Sequence, residues 1–412
     1  MTELNGHIFK KIFDQDGVRG CIYSYKIDNI ILCGETYEYP NIKFEIIESG
    51  AIFNPIFEKT MSLSSLDENK FFKYKKNDVL FTIENPLFFF CFNFENYYHF
   101  IYDTLPYLVT FLELKKDITN LKLLVPNLTL NDFVIETFEL LKIEKGDLIK
   151  LSNVTRYKEV YFSDSFTHGE NSNIPPHKGS KLIYKILIDS VVNRNDCLNN
   201  VSKVYVSRRS WVHGRENNIG TNYTDRRILI NETDLVNFLK ERNFTEIFTE
   251  NMGMIDKINL FHNLDFVVGP IGGGLVNCLF SKKNSTVLVI NSPTFLEVNK
   301  RFLFSFDNLN TIIYDKSFHV DGNEWKRYQR VFVEDQNIFG EILKISDKKL
   351  FIKFTDKMIS GFNKKKLFNT KWVLKNKCKK LDDGLNSPFE ININNFKDYY
   401  DKCNFIFPPR MD

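Results

Sequence analysis

Strand-like and helix-like segments alternate over residues 203–290, and this alternation limits the possible folds more than any other feature. Apolar runs such as 203–209 and 265–270 are typical of buried strands, and the stretches 233–243 and 254–263 have the periodicity of amphipathic helices. Successive units of this kind form right-handed crossovers between parallel strands. The pattern therefore predicts a Rossmann-like α/β domain.

A second alternation begins near Pro86. The run 87–94 predicts a buried strand, and 95–114 predicts an amphipathic helix that Asn96 caps. Short β-like runs separated by turn residues precede it. We expect an α/β fold with two Rossmann-like domains. The predicted limits are a β-rich segment at 1–85, a first Rossmann-like domain at 86–180, a second at 181–310 and a C-terminal extension at 311–412.

Composition and charge restrict the function classes. The 412 residues carry a net charge of +3, which gives no indication of nucleic-acid binding. No run approaches the roughly twenty apolar residues of a membrane span, and the N-terminus lacks the apolar core of a signal peptide. The seven cysteines show no CxxC spacing. We therefore expect free thiols, no metal site and a cytoplasmic protein.

The segment VVGPIGGGLVNCLF (267–280) places a glycine turn between a strand and a helix. Gly272, Gly273 and Gly274 leave room for a ligand beside the backbone, and a helix N-terminus offers N–H groups to a phosphate. Asn277 occupies the place of the third glycine of G-x-G-x-x-G. The turn alone is therefore compatible with a phosphate site or with a structural corner.

Two arginine pairs favour the phosphate site. Arg208 and Arg209 end the run KVYVSRR, and Arg226 and Arg227 precede the run ILINE. Arginine binds a diphosphate through two parallel hydrogen bonds, although such pairs are more often solvated surface charge. No D-x-D pair follows a strand in this unit. Arginine side chains and the helix dipole would therefore neutralise the negative charge of a diphosphate without a metal ion.

The segment NYYHFIYD (96–103) holds a second candidate site. In a helix, Asn96, His99 and Asp103 share one face, and the two last residues are within reach of each other. A histidine beside a carboxylate suits general-base chemistry. The alternative is a capping asparagine and a histidine satisfied within the core. The polar loop at residues 166–179, which contains His168, is a candidate for acceptor binding together with Asn96.

Several separated blocks resemble glycosyltransferase family 61 over about residues 90–300. They are the Ser-Arg strand end at 207–208, the Arg-Arg-Ile-x-x-Asn-Glu block at 226–232, the Gly-x-x-Gly-x-Gly-Leu-x-Asn turn at 269–277, and NYYHFIYDTLPYL at 96–108. Two positions depart from the family pattern. Ile271 stands where members often carry histidine, and Lys257 lies near the place of a frequent glutamine.

The resemblance implies a GT-B architecture, in which two Rossmann-like domains face a cleft. It also implies an inverting, metal-independent transfer from a nucleotide sugar, usually a UDP-sugar, with the donor on the 181–310 domain. Arg208 and Arg227 would neutralise the diphosphate, with Arg209 and Arg226 as neighbours. The other implied donor contacts are backbone N–H groups of Gly272, Gly273 and Gly274, hydroxyl contacts from Glu232 and Glu250, and Asn277, which would fix the turn or touch the donor.

On this interpretation, Asp103 is the first choice for the base and His99 the second. The acceptor would be a glycan, a polysaccharide such as a capsule, or a lipid-linked sugar, and no cofactor beyond the donor is expected. The alternatives are an epimerase, whose opening G-x-x-G-x-x-G the chain lacks, and a degenerate binding scaffold, which Ile271 favours. The lysine-rich stretch 364–380 predicts either peripheral contact with the inner face of a membrane or a solvated surface.

Overall fold

The computed structural model divides into two compact units. The first comprises Met1–Cys197 and Gly253–Asn259, and the second comprises Leu198–Met252 and Leu260–Asp412. The described residues are 7–33, 44–46, 51–54, 59–62, 81–92, 94, 96–126, 128, 130–152, 155–167, 174–192, 201–209, 227–293, 303, 306, 308–319, 330–333, 336, 338–355, 370–380 and 389–406. The finer domain limits given above stay predictions.

The first unit is built on a nine-stranded mixed sheet. Its strands are β1 (His7–Phe13), β2 (Ile22–Cys33), β3 (Phe44–Ile46), β4 (Ala51–Asn54), β5 (Lys59–Ser62), β6 (Phe81–Phe89), β7 (Lys122–Val125), β8 (Leu148–Lys150) and β9 (Thr155–Ser163). Their order is β5-β4-β3-β2-β9-β6-β7-β8, with β1 beside β2. Strands β6 to β9 run parallel, and β2 is antiparallel to β9. The β-rich N-terminal strands therefore extend the parallel sheet.

Buried aromatic residues hold the centre of this sheet. Phe88, Phe89 and Phe90 are at most 1% exposed, and Phe89 stacks on Phe162 with 4.9 Å between ring centroids. Each fully buried side chain of this size contributes about 1.5–3 kcal/mol. The helices of the unit are α1 (Tyr97–His99), α2 (Tyr107–Leu114), α3 (Asp132–Leu140) and α4 (Lys181–Val192).

The prediction of a single helix over 95–114 is wrong in one respect. A π-helical turn, Phe100–Thr104, separates α1 from α2, and the N–H of Leu105 donates to the carbonyl of Phe100, five residues back. Pro106 has no N–H to donate, and its ring crowds the preceding turn. The helix therefore widens just before the proline.

The second unit contains the predicted parallel sheet. Its strands are β10 (Lys203–Val206), β11 (Thr245–Ile247), β12 (Phe266–Pro270), β13 (Thr286–Ile290) and β14 (Asn310–Tyr314), in the order β11-β10-β12-β13-β14. All four pairings are parallel. Its helices are α5 (Glu232–Lys240) and α7 (Ile393–Ile406), and a third helix, α6 (Met254–Asn263), belongs to the first unit up to Asn259 and to the second from Leu260 onward. The mixed α/β class predicted from the sequence is confirmed, but the glycine turn opens a 3-10 helix, Gly273–Phe280, in place of an α-helix.

The C-terminal region contributes to this unit and also inserts a sheet into it. Tyr314, Phe389, Phe396 and Tyr400 belong to the core that covers the parallel sheet. Strand β15 (Ser317–His319) pairs with β21 (Phe389–Ile391). Between them lie β16 (Arg330–Val333), β17 (Ile338–Ile345), β18 (Lys349–Thr355), β19 (Thr370–Leu374) and β20 (Cys378–Lys380). These five strands, here called the inserted sheet, are antiparallel in the order β19-β18-β17-β16-β20 and have a core of their own. In the described part of the chain, no helix has the length and apolarity to cross a membrane.

Candidate functional site

The carboxyl edge of the second unit's parallel sheet holds the first candidate site. The chain passes from β10 to β11 on one side and then to β12 on the other, so the strand order reverses between β10 and β12. A crevice opens at such a reversal, and ligands of doubly wound sheets bind there. Arg208 follows β10 and Gly272 follows β12, which places both residues at the reversal.

Arg208 and Gly272 are in close contact. A Cβ atom on Gly272 would lie 2.1 Å from Nη1 of Arg208, so the guanidinium occupies space that glycine alone leaves open. Gly272 is also the cap of the 3-10 helix that follows, and the first N–H groups of a helix lack partners within it. The guanidinium and the helix end together form a positively charged corner that suits a phosphate group.

Buried polar atoms line the same sheet edge. Glu250 and Asn251 lie in the turn after β11, and Asn291 and Ser292 directly follow β13. In the part of the chain that the structure describes, Oε1 of Glu250, Nδ2 of Asn251, Oδ1 of Asn291 and Oγ of Ser292 have no hydrogen-bond partner. Buried polar atoms are nearly always paired in native proteins. This mixture of donors and acceptors therefore indicates a polar ligand.

Both of these turns border the glycine turn. A Cβ atom on Gly274 would lie 3.1 Å from Oγ1 of Thr249, which begins the turn after β11. The N–H of Ile271 donates to the carbonyl of Ile290, the last residue of β13, at 2.8 Å. Of the four residues with unmatched atoms, only Glu250 was predicted from the sequence. The others follow predicted strands, and that position was the available signal.

Glu232 lies behind this edge. The residue is 3% exposed, and its Oε1 accepts hydrogen bonds from the hydroxyl of Tyr205 at 2.8 Å, the hydroxyl of Ser207 at 3.1 Å and the N–H of Arg208 at 3.0 Å. Burial raises the pKa of the Glu232 carboxyl, and these hydrogen bonds oppose the rise. These contacts fix Glu232 behind Arg208, and its predicted contact with donor hydroxyls stays a prediction.

The remaining predicted arginines are placed differently. Arg209 forms a two-pronged ion pair with Glu246, with Nε–Oε1 at 2.6 Å and Nη2–Oε2 at 2.8 Å, and its Nη1 donates to Thr233. Its guanidinium therefore joins β11 to the end of β10, and its predicted place as a neighbour of the diphosphate stays a prediction. Arg227 is half-buried and has a left-handed φ of 53°. Arg226 lies outside the described residues.

The glycine turn also has a structural role. A Cβ atom on Gly274 would lie 2.7 Å from Cγ1 of Val206, so this glycine allows the 3-10 helix to approach β10. Asn277 is fully buried, and its Nδ2 donates to the carbonyl of Gly274 at 2.9 Å, which fixes the turn. Ile271 is 1% exposed and packs as a core residue. Gly274 therefore serves packing, whereas Gly272 leaves the space that the guanidinium of Arg208 occupies.

The first unit carries the second candidate site. Its strand order reverses between β6 and β9, because the chain leaves β6 toward β7 and returns on the other side. Asp103 follows β6, and Thr167 follows β9. Nδ1 of His99 lies 2.7 Å from Oδ2 of Asp103, and Oγ1 of Thr167 donates to Oδ1 at 3.0 Å. The predicted reach of His99 to Asp103 is present, and Thr167 was missed because it lies far away in the sequence.

Burial distinguishes the two members of the pair. The side chain of Asp103 is 8% exposed and that of His99 is 16% exposed. Asp103 lies in the π-helical turn Phe100–Thr104. Turns of this type inside helices occur frequently at functional sites. The carboxylate can therefore orient the imidazole, which is the more accessible of the two groups.

Three further residues complete the account of this region. Asn96 caps α1 by accepting the N–H of His99 at 3.3 Å, as predicted. His168 lies outside the described residues, so its acceptor role stays a prediction. Lys257 is 3% exposed, with its Nζ 4.2 Å from the ring centroid of Tyr97.

A family model covers the part of the sequence that carries most residues of both sites. Residues 97–288 match the family model described as Glycosyltransferase 61. The chain carries a glycosyltransferase 61 domain. The resemblance stated from the sequence is confirmed, and the family is one of glycosyltransferases, not of epimerases. Among curated proteins, none matches the chain. Among the described residues of this glycosyltransferase, no three His, Cys, Asp or Glu side chains are grouped to hold a metal ion.

Proposed function

We propose that the protein transfers a sugar, with inversion, from a nucleotide-sugar donor to a hydroxyl group of a glycan or polysaccharide acceptor. The donor is a UDP-sugar in this proposal, and the architecture is GT-B. The observation that carries the proposal is the guanidinium of Arg208 over Gly272, at the strand reversal within a glycosyltransferase 61 domain. A planar cation beside backbone N–H groups suits a diphosphate.

The donor site extends from this corner along the sheet edge. Arg208 and the N–H groups at Gly273 and Gly274 meet the diphosphate without a metal ion, and the charge of Arg227 adds to theirs. The buried polar atoms of Asn251, Asn291 and Ser292, together with Glu250, bind the hydroxyl and carbonyl groups of the nucleoside and sugar. A mixed set of donors and acceptors discriminates ligands strongly, because a wrong ligand leaves buried groups unpaired.

The His99–Asp103–Thr167 group supplies the base. Both carboxylate oxygens of Asp103 are engaged, by His99 and Thr167, so the carboxylate orients the imidazole. We therefore assign proton removal to His99 and the positioning role to Asp103, the reverse of the order preferred from the sequence. As the acceptor oxygen attacks the anomeric carbon, His99 takes its proton. The bond from that carbon to the diphosphate oxygen breaks, and the nucleoside diphosphate leaves.

The other elements of the proposal concern the acceptor and location. Asn96 and the loop that contains His168 belong to the acceptor side, and the acceptor is a glycan, a polysaccharide or a lipid-linked sugar. No cofactor beyond the donor is required. The enzyme acts in the cytoplasm, which the scattered cysteines of the sequence support.

Calorimetric titration with UDP, in magnesium and in a chelator, tests the donor site. The wild-type protein is expected to bind UDP in both buffers. Arg208→Ala removes a hydrogen bond to a charged group worth roughly 1.5–3 kcal/mol, so Kd should rise about tenfold to a hundredfold. Gly272→Ala should weaken binding similarly, because its methyl group displaces the guanidinium.

Lys203→Ala is the matched control. Lys203 begins β10, at the edge of the sheet opposite Arg208, so its removal takes one positive charge from the same strand but leaves the site intact. UDP affinity should stay within twofold of the wild type. An equal loss of affinity in this variant would show that Arg208→Ala acts only through the net charge of the protein, which would contradict the proposed site. Absence of UDP binding by folded wild-type protein would contradict the UDP assignment, and titration with GDP and CMP would follow.

A further inference from the structure

One end of the inserted sheet exposes large apolar side chains. Ile345 at the end of β17 is 38% exposed, Trp372 on β19 is 43% exposed, and Leu374 at the end of β19 is 39% exposed. Leu374 pairs across the strands with Lys349, and Trp372 pairs with Phe351. These three residues are not part of the core of the inserted sheet. Ile345 is paired with the core residue Leu350, whereas Leu374 is paired with Lys349, so apolar groups are exposed on both faces at this end of the sheet. Exposed apolar groups of this kind can mark an interaction site.

Lysine side chains surround these apolar residues. Lys348 and Lys349 are exposed at the turn that joins β17 to β18, and Lys344 precedes it with its Nζ 5.8 Å from the ring centroid of Phe351. The N–H of Lys375 donates to the carbonyl of Lys348 at 3.0 Å, which brings the chain after β19 to the same turn. We call this set the lysine tip: Ile345, Trp372 and Leu374 with Lys344, Lys348, Lys349 and Lys375.

We propose that the lysine tip docks the protein on an anionic lipid bilayer. Lysines near an anionic membrane surface attract it electrostatically. Tryptophan is enriched at the level of lipid headgroups, and exposed aliphatic side chains gain free energy by entering the acyl region. Stable peripheral binding needs charge and apolar insertion together, and both are present at this end of the sheet.

The aliphatic residues favour a bilayer over an anionic polysaccharide as the occupant. A sugar ring stacks on a flat aromatic face, and Trp372 beside Phe351, at 5.2 Å between centroids, offers one. Ile345 and Leu374 offer no such face, yet they are exposed at the same end of the sheet. The inference concerns a different surface from the donor site and does not rest on the proposed reaction.

Sedimentation of the full chain with vesicles tests this. The protein should bind vesicles containing phosphatidylglycerol and should not bind pure phosphatidylcholine. Lys348→Glu combined with Lys349→Glu should lower the partition coefficient by at least about 25-fold, because each lysine near the surface contributes about fivefold. The control, Lys150→Glu with Lys283→Glu, changes net charge equally at exposed positions elsewhere and should bind like the wild type. Equal loss in both double variants would overturn a specific tip.

Apolar substitutions and fluorescence provide a second test. Ile345→Ser with Leu374→Ser should weaken binding, whereas Ile135→Ser with Leu182→Ser, at positions 41% and 43% exposed, should not. The chain has three tryptophans. With Trp211→Phe and Trp325→Phe, the emission of Trp372 should be quenched by bromine-labelled lipid in anionic vesicles. Bound protein without quenching would overturn insertion. Binding to a soluble anionic polysaccharide but not to vesicles would overturn the choice of a bilayer.

Discussion

At the scale of single residues, both candidate sites join side chains from distant segments. The His99–Asp103 contact could be predicted because residues four apart share a helix face. The contribution of Thr167, 64 residues after Asp103, depends on which strands are neighbours in the sheet. Sequence periodicity does not contain that information. Arg208 and Gly272 could be predicted to share a sheet edge, but their direct contact could not.

Thr167→Val is expected to lower kcat about tenfold while the KM for the donor changes little. Valine has the shape of threonine but lacks the hydroxyl that binds Oδ1 of Asp103, and a hydrogen bond to a charged group is worth roughly 1.5–3 kcal/mol. The carboxylate would then hold the imidazole less firmly. Steady-state kinetics with the identified donor measure both constants.

Thr167→Ser is the control for this prediction, because it keeps the hydroxyl and should retain most of the activity. A purely packing role for Thr167 would give the opposite ranking: valine would be tolerated, and serine, which leaves a gap at a residue 1% exposed, would be the worse substitution. That ranking would contradict the positioning role.

At the scale of elements, the helices and strands over residues 203–290 were predicted within a few residues, since buried parallel strands are short apolar runs between amphipathic helices. One element in each unit differs from its prediction. The π-helical turn before Pro106 interrupts a helix whose apolar periodicity continues through it. The turn after β12 is a 3-10 helix, because the glycines allow it to lie closer to β10 than an α-helix with side chains would. Periodicity reports which face is buried but not these local changes of pitch.

Glu232, the first residue of α5, gives the second unit a pH-dependent stability. Burial raises the pKa of its carboxyl, so the folded protein keeps this proton to higher pH than the unfolded chain does. The free energy of unfolding should therefore fall as the pH rises above the usual value of 4.5. Glu232→Gln keeps the oxygen that accepts all three hydrogen bonds and removes the charge. The melting temperature of the variant should exceed that of the wild type by a margin that grows above pH 4.5.

Glu139→Gln, at an exposed position on α3, controls for the loss of one negative charge. The difference in melting temperature between this variant and the wild type should stay nearly constant between pH 4.5 and pH 7. A constant difference for Glu232→Gln as well would show that the buried carboxyl does not titrate between folded and unfolded states, contrary to the prediction.

At the scale of the whole molecule, the sequence indicated two α/β regions but not how the flanking segments join them. Strands β1 to β5 extend the sheet of the first unit, and α7 covers the sheet of the second. Antiparallel edge pairing leaves little trace in sequence, because each strand is short and its partner is distant. The lysine-rich stretch was identified from composition, whereas its described part, 370–380, proves to be two strands of a sheet with a separate core.

This separate core predicts that the inserted sheet can be removed without loss of the donor site. His319 and Phe389 are cross-strand partners in the β15–β21 pair, so the two ends of the insertion are neighbours. An Asn-Gly turn can join antiparallel strands at that spacing.

A protein in which Asn-Gly replaces residues 320–388 should fold, keep its affinity for UDP within about threefold and lose binding to anionic vesicles. Calorimetry and sedimentation measure these properties on the same preparation, with circular dichroism as the control for folding. A folded, shortened protein that no longer binds UDP would place a donor contact within the insertion and contradict this division of roles. Retained vesicle binding would instead move membrane contact away from the lysine tip.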